Sequence, residues 1–101
     1  MKYLVLAPDY SGSCIRNEFG EKVELGTLEL PCSLIEEIDN WHNSYKKIIP
    51  LSIEERAKKT RYIETLDEKG LMIISKLEKG IPGGAKIKYY SEGKLRYILT
   101  G

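Results

Sequence analysis

The sequence predicts an α+β domain in two layers, in which two helices, or three if the second is bent, pack on one face of an antiparallel sheet of about four strands that ends in a C-terminal hairpin. Three observations predict this class. Short apolar or alternating segments typical of strands occur near both ends of the chain, and two segments with helical periodicity lie between them. A length of 101 residues, 42% of them hydrophobic, suits one domain over residues 1–101 with a modest core and no buried cofactor.

The N-terminal segment is predicted to form strands. Residues 2–7 form the first strand, which ends at a turn over residues 8–13 that is rich in Pro, Asp, Ser and Gly. Residues 14–19 form a short second strand, and the imperfect alternation over residues 23–30 indicates an irregular strand or an ordered loop. The apolar opening is shorter than the roughly 7–15 apolar residues of a signal peptide, so we expect a cytoplasmic protein with no membrane partner.

The first helix is predicted from a capping box and an apolar stripe. Ser33 and Glu36 have the spacing at which each side chain can bond the backbone amide of the other residue, and Pro50 marks the end of the pattern. Acidic residues lie in its first turns and lysines in its last, which suits the helix dipole. The stripe comprises Leu34, Ile38, Trp41, Tyr45 and Ile48.

A second capping box, Ser52 with Glu55, opens a helical pattern that runs to residue 79. Its apolar face changes phase near Thr60, which indicates either two helices that meet at a bend or first turns that overhang the core. Gly80 is predicted to end the helix in a left-handed conformation, and Gly70 to lie on the core face, where a neighbouring element can approach closely. The predicted core comprises Leu34, Ile38, Trp41, Tyr45, Ile63, Leu66, Ile73 and Leu77.

The last segment is predicted to be a β-hairpin. Residues 85–90 alternate, with Ile87 and Tyr89 towards the core and Lys86 and Lys88 towards water. Residues 91–94 form the turn, in which Gly93 takes a positive φ, and residues 95–100 form the returning strand.

The sequence offers little for catalysis or metal binding, so we expect a protein that is not an enzyme. The single histidine, His42, lies beside Trp41 and is interpreted as a boundary residue of the first helix. Cys14 and His42 could form a thiol dyad, but no activating motif accompanies them. Cys14 and Cys32 are interpreted as free thiols of a reducing compartment, and their spacing builds no zinc site.

Acidic and basic residues are separated along the chain. Residues 1–45 contain eight acidic and three basic residues, a balance of −5, whereas residues 46–101 contain seven acidic and thirteen basic residues, a balance of +6. Such a contrast indicates a charged partner, or else a solvated surface that only aids solubility. Carboxylates along an irregular segment can also occupy a groove built for phosphates. The candidate partner-binding residues are Glu18, Glu21, Glu24, Glu29, Glu36 and Asp39.

A nucleic-acid-binding regulator that uses the basic hairpin is one alternative function, and a small enzyme without a recognisable catalytic motif is another. Lys86, Lys88, Lys94 and Arg96 accompany three tyrosines there, and basic groups among aromatic rings can bind phosphates and stack bases. However, the alternation places most rings towards the core, and a net charge of +1 is far from the basic character of dedicated nucleic-acid binders. We therefore expect a solvated sheet face and no direct nucleic acid binding.

Several core and cap positions after residue 33 form a recognisable set. They are Trp41 and Tyr45 in the first helix, Leu66-Asp67-Glu68-Lys69-Gly70 in the second, Leu77 before Gly80, and the strand from Lys86 to Tyr90. In these positions the chain resembles small bacterial immunity proteins, which neutralise the toxic C-terminal domains of contact-dependent inhibition and related polymorphic toxin systems. The resemblance covers about sixty of the 101 residues and carries over no catalytic residue. The chain departs from nuclease inhibitors in charge, since those are often acidic overall.

The resemblance implies a protein that binds one cognate toxin domain stoichiometrically in the cytoplasm of the producing cell. It would cover the active site of the toxin or hold the toxin in an inactive state. The implied toxin is a nuclease, such as a ribonuclease, because the acidic half of the chain suits a basic partner. Such an inhibitor needs no catalytic residue, metal or cofactor of its own.

Overall fold

The computed structural model describes residues 1–9 and 13–98 and has the α+β architecture that the sequence predicts. The predicted turn residues 10–12 and the last predicted strand residues, 99 and 100, lie outside the described residues. Within the described part, five strands form one mixed sheet and three α-helices pack on it. In chain order the elements are β1 (Lys2–Leu6), β2 (Ile15–Asn17), β3 (Lys22–Val23), a 3-10 helix (Leu25–Leu28), α1 (Cys32–Tyr45), α2 (Ile53–Ala57), α3 (Thr60–Gly80), β4 (Ala85–Ser91) and β5 (Arg96–Ile98).

The strand order is β3-β2-β1-β4-β5, and the pair β1/β4 is parallel. The expected antiparallel sheet is therefore wrong at this pair, where Leu4 lies opposite Ile87 and Leu6 opposite Tyr89. Parallel neighbours need a long crossover connection, which the segment with the three helices supplies. Hydrophobic periodicity indicates a strand but not its direction, so the sequence pattern could not show this pairing. The C-terminal hairpin of β4 and β5 is confirmed.

One face of the sheet is buried under the helices and the other is open to solvent. Along β4, alternate residues from Ala85 to Ser91 are buried, whereas Lys86 and Lys88 between them are exposed, as predicted. Leu6 of β1 lies between Tyr89 of β4 and Ile15 of β2, and all three are 0% exposed. The parallel pair therefore lies at the centre of the core.

α1 begins and ends earlier than the sequence predicts. Its N-cap is Pro31, whose carbonyl accepts bonds from the amides of Leu34 and Ile35 at 3.0 and 3.1 Å, and no side chain caps the helix. The expected capping box of Ser33 and Glu36 is wrong, because proline with φ −59° is already suited to a helix start two residues before Ser33. The helix ends with residue 45, and turns carry the chain through residues 46–50.

The predicted phase change marks a bend between α2 and α3. The capping box of α2 is confirmed, since the Ser52 hydroxyl accepts from Glu55 N at 3.2 Å and Glu55 Oε1 accepts from Ser52 N at 3.3 Å. Arg56 is buried on the core side because its guanidinium donates to the backbone carbonyls of Ile49, at 2.7 Å, and of Glu92. This arginine therefore ties α2 to the preceding turn and to the β4–β5 turn.

Two of the predicted glycine conformations are wrong. Gly80 is the last residue of α3, and the chain first becomes left-handed after it at Gly83, with φ 83°. In the β4–β5 turn the positive φ belongs to Leu95, at 55°, and not to Gly93. A Cβ at Gly93 would lie 3.0 Å from the hydroxyl oxygen of Tyr45, so glycine is needed there for a close approach.

The predicted core is confirmed, since all eight expected residues are at most 8% exposed. Trp41 contacts Tyr45 and Tyr89 with ring centroids 5.6 and 6.2 Å apart, and its Nε1 donates to the Leu66 carbonyl at 2.8 Å. Strands, loops and further helix positions supply the rest of the core, namely Leu4, Leu6, Cys14, Ile15, Leu28, Leu30, Ile48, Ile74, Ile81, Ala85, Ile87 and Tyr89.

Gly70 lies in α3 on the core face, as predicted, and the neighbour that approaches it is Tyr89 of β4. A Cβ at Gly70 would lie 2.7 Å from both Cζ and the hydroxyl oxygen of Tyr89, closer than real Cβ contacts allow. Because Tyr89 is fully buried and hydrogen-bonded through its hydroxyl, its ring has little room to move aside.

We expect Gly70→Ala to lower the free energy of unfolding by roughly 1–3 kcal/mol, because overpacking against Tyr89 outweighs the roughly 0.5–1 kcal/mol that alanine adds to helix stability. Urea denaturation followed by the fluorescence of Trp41 measures this loss. Gly26→Ala is the matched control, since no heavy atom lies within 4 Å of its Cβ position. An unfolding free energy for Gly70→Ala equal to or above that of the wild type would contradict the prediction.

Candidate functional site

A polar cluster lies in the core around Asp67, a residue of α3 that is 3% exposed. Its Oδ1 accepts from the hydroxyls of Tyr45 and Tyr89, each at 2.7 Å, and its Oδ2 accepts from the Ser91 hydroxyl at 2.7 Å. The Tyr45 hydroxyl oxygen accepts in turn from the backbone amide of Gly93 at 2.9 Å. The Asp67 cluster thereby joins α1, α3, β4 and the β4–β5 turn.

The Asp67 cluster is closed to a substrate. Burial raises the pKa of both tyrosine hydroxyls well above its usual range, so Tyr45 and Tyr89 stay protonated and act as donors. Among the described residues, every buried side-chain nitrogen and oxygen has a hydrogen-bond partner. A group that is enclosed and fully hydrogen-bonded holds elements together, and we assign the cluster this structural role.

His42 is a core residue rather than a boundary one. It is 4% exposed, and its Nε2 lies 2.6 Å from the carbonyl oxygen and 3.1 Å from the amide nitrogen of Asp9. Burial lowers the pKa of the imidazole, and the contact with the Asp9 backbone only partly offsets this effect. At neutral pH the uncharged histidine therefore packs α1 against the loop that follows β1.

The two thiols lie in different environments and both are free. Cys14 is 1% exposed and burial raises its pKa to about 12, so at neutral pH it is a protonated thiol and a poor nucleophile. Cys32 is exposed at the start of α1. The structure thus gives no support to a dyad of Cys14 with His42, because both side chains are part of the core.

Metal binding and membrane crossing each need a particular arrangement of residues. Over residues 1–9 and 13–98, no group of three or more His, Cys, Asp or Glu side chains is placed to hold a metal ion. None of the helices in this part of the chain combines the length and the apolar character that crossing a bilayer demands.

All six candidate partner-binding carboxylates are exposed. Two lie in the β2–β3 turn, two flank the 3-10 helix as its caps, and two lie on the solvent side of α1. Within the described part of the chain, none of the six forms an ion pair, whereas Glu37 between them binds Lys76 at 2.9 Å. In chain order they are Glu18, Glu21, Glu24, Glu29, Glu36 and Asp39.

One apolar side chain is exposed in the acidic segment, residues 18–39. Phe19 was predicted to lie in the second strand, but β2 ends at Asn17 and the Phe19 ring is 79% exposed in the β2–β3 turn. Asn17 Oδ1 accepts from the amides of Phe19 and Glu21 at 2.9 and 3.0 Å, which turns the chain two residues early. The available signal was an asparagine followed closely by Gly20, a combination typical of turns.

The open face of the sheet carries more aromatic rings than the sequence predicted. Of the three hairpin tyrosines only Tyr89 faces the core, whereas Tyr90 is half-buried and Tyr97 is 62% exposed. The expectation that most rings face the core is wrong because Tyr90 and Tyr97 pair across β4 and β5 on the open side, with ring centroids 5.0 Å apart. An open concavity of about 1120 Å³ is lined there by, among others, Tyr3, Lys86, Lys88, Tyr90 and Tyr97.

Comparisons with known proteins identify no family for this chain. No protein-family model, no curated protein and no solved structure matches the chain. The resemblance to immunity proteins therefore stays a prediction, and two surfaces of the molecule bear on its function: the acidic segment and the open face of the sheet.

We expect Asp67→Ala to lower the free energy of unfolding by about 3–5 kcal/mol, because three buried hydroxyls lose their acceptor. Asp67→Asn should cost less, since the amide keeps one acceptor oxygen. Thermal unfolding followed by circular dichroism measures both changes. Glu68→Ala, on the exposed side of α3, is the matched control, and a loss for Asp67→Ala no larger than that of the control would contradict the structural role.

We expect stability to fall as the pH is lowered below about 6.5, the ordinary pKa of histidine, with a slope of up to about 1.4 kcal/mol per pH unit from His42. The pKa of His42 is lowered in the folded protein, so the unfolded chain takes up the proton first. This contribution is complete above the ordinary pKa of 6.5 and is lost as the pH falls through the folded value.

Urea denaturation at a series of pH values measures the His42 effect, and His42→Gln is the variant to compare. His42 is the chain's one histidine, so the substitution should flatten the pH dependence in this window while lowering stability at pH 7. A wild-type unfolding free energy that does not change between these pH values would contradict the prediction.

Proposed function

We propose that the chain is an immunity protein that binds one cognate toxin domain with nuclease activity and neutralises it by stoichiometric binding. The observation that carries the proposal is the set of six exposed carboxylates between residues 18 and 39, none of which forms an ion pair within the described part of the chain. They are free to meet positive charge on another molecule.

The charge of these residues suits a nuclease. An enzyme that binds a phosphate backbone presents Lys and Arg side chains to it, because neutralising phosphates supplies most of its affinity. Carboxylates on an inhibitor can occupy the same positive surface, and complementary charges also speed the encounter of the two proteins. The acidic segment is therefore proposed to meet the substrate-binding surface of the toxin.

The proposal assigns no chemistry to the chain itself. His42 and Cys14, the side chains from which catalysis would ordinarily be built, serve the core. The protein would act in the cytoplasm of the cell that makes the toxin, with no cofactor and no metal.

Co-expression tests the proposal directly. The product of the gene immediately upstream of this chain, which the proposal expects to be the toxin, is induced in a bacterial host with and without the chain, and survival is measured. Survival restored against that toxin, and not against an unrelated nuclease domain, is the expected result. Death at the same rate with and without the chain would overturn the proposal.

A nucleic-acid-binding role is the second candidate, and the open sheet face is the observation that favours it. Tyr3, Tyr90 and Tyr97 lie there with Lys86 and Lys88, which is the combination that stacks bases and binds phosphates. A gel-shift assay at physiological salt with single-stranded RNA and DNA separates the two candidates. An immunity protein leaves both nucleic acids unshifted, whereas a regulator shifts at least one of them.

We expect the joint reversal of Glu21, Glu24 and Glu36 to lysine to slow association with the toxin by roughly tenfold or more at low salt, because complementary charge mainly governs the encounter rate. The salt dependence of association and the protection of cells should both weaken. Surface plasmon resonance against the catalytically inactivated toxin measures the rates.

Two triple variants serve as controls for this prediction. Reversal of Glu54, Glu64 and Glu68, exposed on α2 and α3, changes the net charge equally but should affect association much less. Reversal of Lys86, Lys88 and Lys94 to glutamate should also matter much less. If the lysine reversals abolish protection and the glutamate reversals do not, the partner binds the basic half of the chain instead.

A further inference from the structure

The ring of Phe19 is the most exposed large hydrophobic side chain in the described part of the molecule, at 79%. It is the chain's one phenylalanine and stands in the β2–β3 turn, between β2 and β3 at the edge of the sheet. We infer that Phe19 is the anchor with which the chain holds its protein partner, inserted into an apolar pocket that Lys and Arg side chains border. This inference rests on the proposed function. It identifies the Phe19 ring as the apolar contact between the carboxylates that meet the partner.

The charges beside Phe19 define the chemistry of the partner. Glu18 and Glu21 flank the Phe19-Gly20 step, both are exposed, and neither forms an ion pair within the described residues. The nearest arginine in the chain, Arg16, is already engaged, since its guanidinium binds the Asp9 carboxylate and donates to the Gly20 carbonyl at 3.2 Å. Lys22 is exposed as well and offsets one of these two charges. The negative charge that remains beside the ring favours a pocket with positive charge at its rim, as in the substrate groove of a nuclease.

Hydrogen bonds hold the backbone of the turn on both sides of the ring. The amide of Asn17 donates to the Glu21 carbonyl at 2.9 Å, and the amide of Gly20 donates to the Asn17 carbonyl at 3.1 Å. Gly20 has φ 80°, a conformation that glycine adopts without strain. With the two bonds to Asn17 Oδ1 described above, the backbone on both sides of Phe19 is hydrogen-bonded. Little backbone freedom therefore remains to be lost there on binding, which favours affinity.

The surface around the turn must supply the rest of the interface. Glu18 and Gly20, the neighbours of Phe19, line the concavity of the open face, but Phe19 itself does not, and Lys86 and Lys88 on that face repel a basic partner. The roughly 800 Å² per protein of a stable complex is therefore expected to come from the turn and the other exposed carboxylates. A buried aromatic anchor within a polar rim is the usual arrangement of such interfaces.

The ring and the carboxylates are expected to affect different rates. A desolvated anchor at the centre of an interface controls dissociation, whereas charges at its rim control association. Phe19→Ala should therefore raise the dissociation rate, and the joint replacement of Glu18 and Glu21 by glutamine should lower the association rate and its salt dependence.

The test measures binding of each variant to the inactivated toxin domain encoded upstream, by surface plasmon resonance. Phe19→Ala should raise the dissociation constant at least about 30-fold, mostly through faster dissociation, and should lower protection in the survival assay. Ile53→Ala and Tyr62→Ala are the matched controls, since these apolar side chains are 76% and 41% exposed on α2 and α3, and both variants should bind as the wild type does. The melting temperature of Phe19→Ala should stay close to that of the wild type, because the ring contributes little to the core.

Each other outcome is decisive. If the wild type protects and Phe19→Ala binds equally well, the anchor is wrong and the proposed function stands. If the wild type neither binds nor protects, both are overturned. If Phe19→Ala dissociates a self-associated form of the chain and leaves toxin binding unchanged, the ring serves self-association, and the anchor is again wrong.

Discussion

The fold depends on keeping one carboxylate in the core. A buried carboxylate is costly unless hydrogen bonds replace the water that it loses, and Asp67 receives such bonds from three hydroxyls. These donors come from α1 and β4, while the carboxylate itself comes from α3. The cost is therefore offset only when the three elements are in their native places. Other compact arrangements leave the charge without donors, so the cluster favours one structure over its competitors.

The same cluster explains why two glycines occur where they do. Asp67 and Gly70 are three residues apart in α3 and so lie on one side of the helix. Tyr89 must cross that side to bring its hydroxyl to Asp67, and a side chain at residue 70 would block it. Gly93 in turn lets the β4–β5 turn come close enough for its amide to reach the Tyr45 hydroxyl. The positions on which the predicted resemblance to immunity proteins depends include Tyr45, Asp67, Gly70 and Tyr89, so that prediction concerns chiefly how the core is built.

The sequence predicts the helices and their buried faces but not how distant strands pair. The helices and the buried stripe from Leu34 to Leu77 followed from periodicity, because a 3.6-residue repeat reports directly which side of a helix is buried. The parallel pairing of β1 with β4 did not, since strand direction depends on how the chain returns to the sheet. In the candidate site, exposure of the six carboxylates was predictable from their polarity. The exposure of Phe19 was missed because its apolar ring extended the apparent strand, although Asn17 and the nearby Gly20 favour a turn there.

The pairing of β1 with β4 also constrains the order in which the protein can form during its synthesis. β1 leaves the ribosome early, but its parallel neighbour comprises residues 85–91, which are translated after all three helices. Until then β1 can pair only with β2, and contacts between such distant segments form slowly. All six carboxylates and Phe19 are thus translated before β4. Until β4 is present, β1 lacks its parallel neighbour, and the β2–β3 turn that β1 supports is not yet fixed. On the proposed function, competence to bind would consequently arise only after residues 85–91 have been translated.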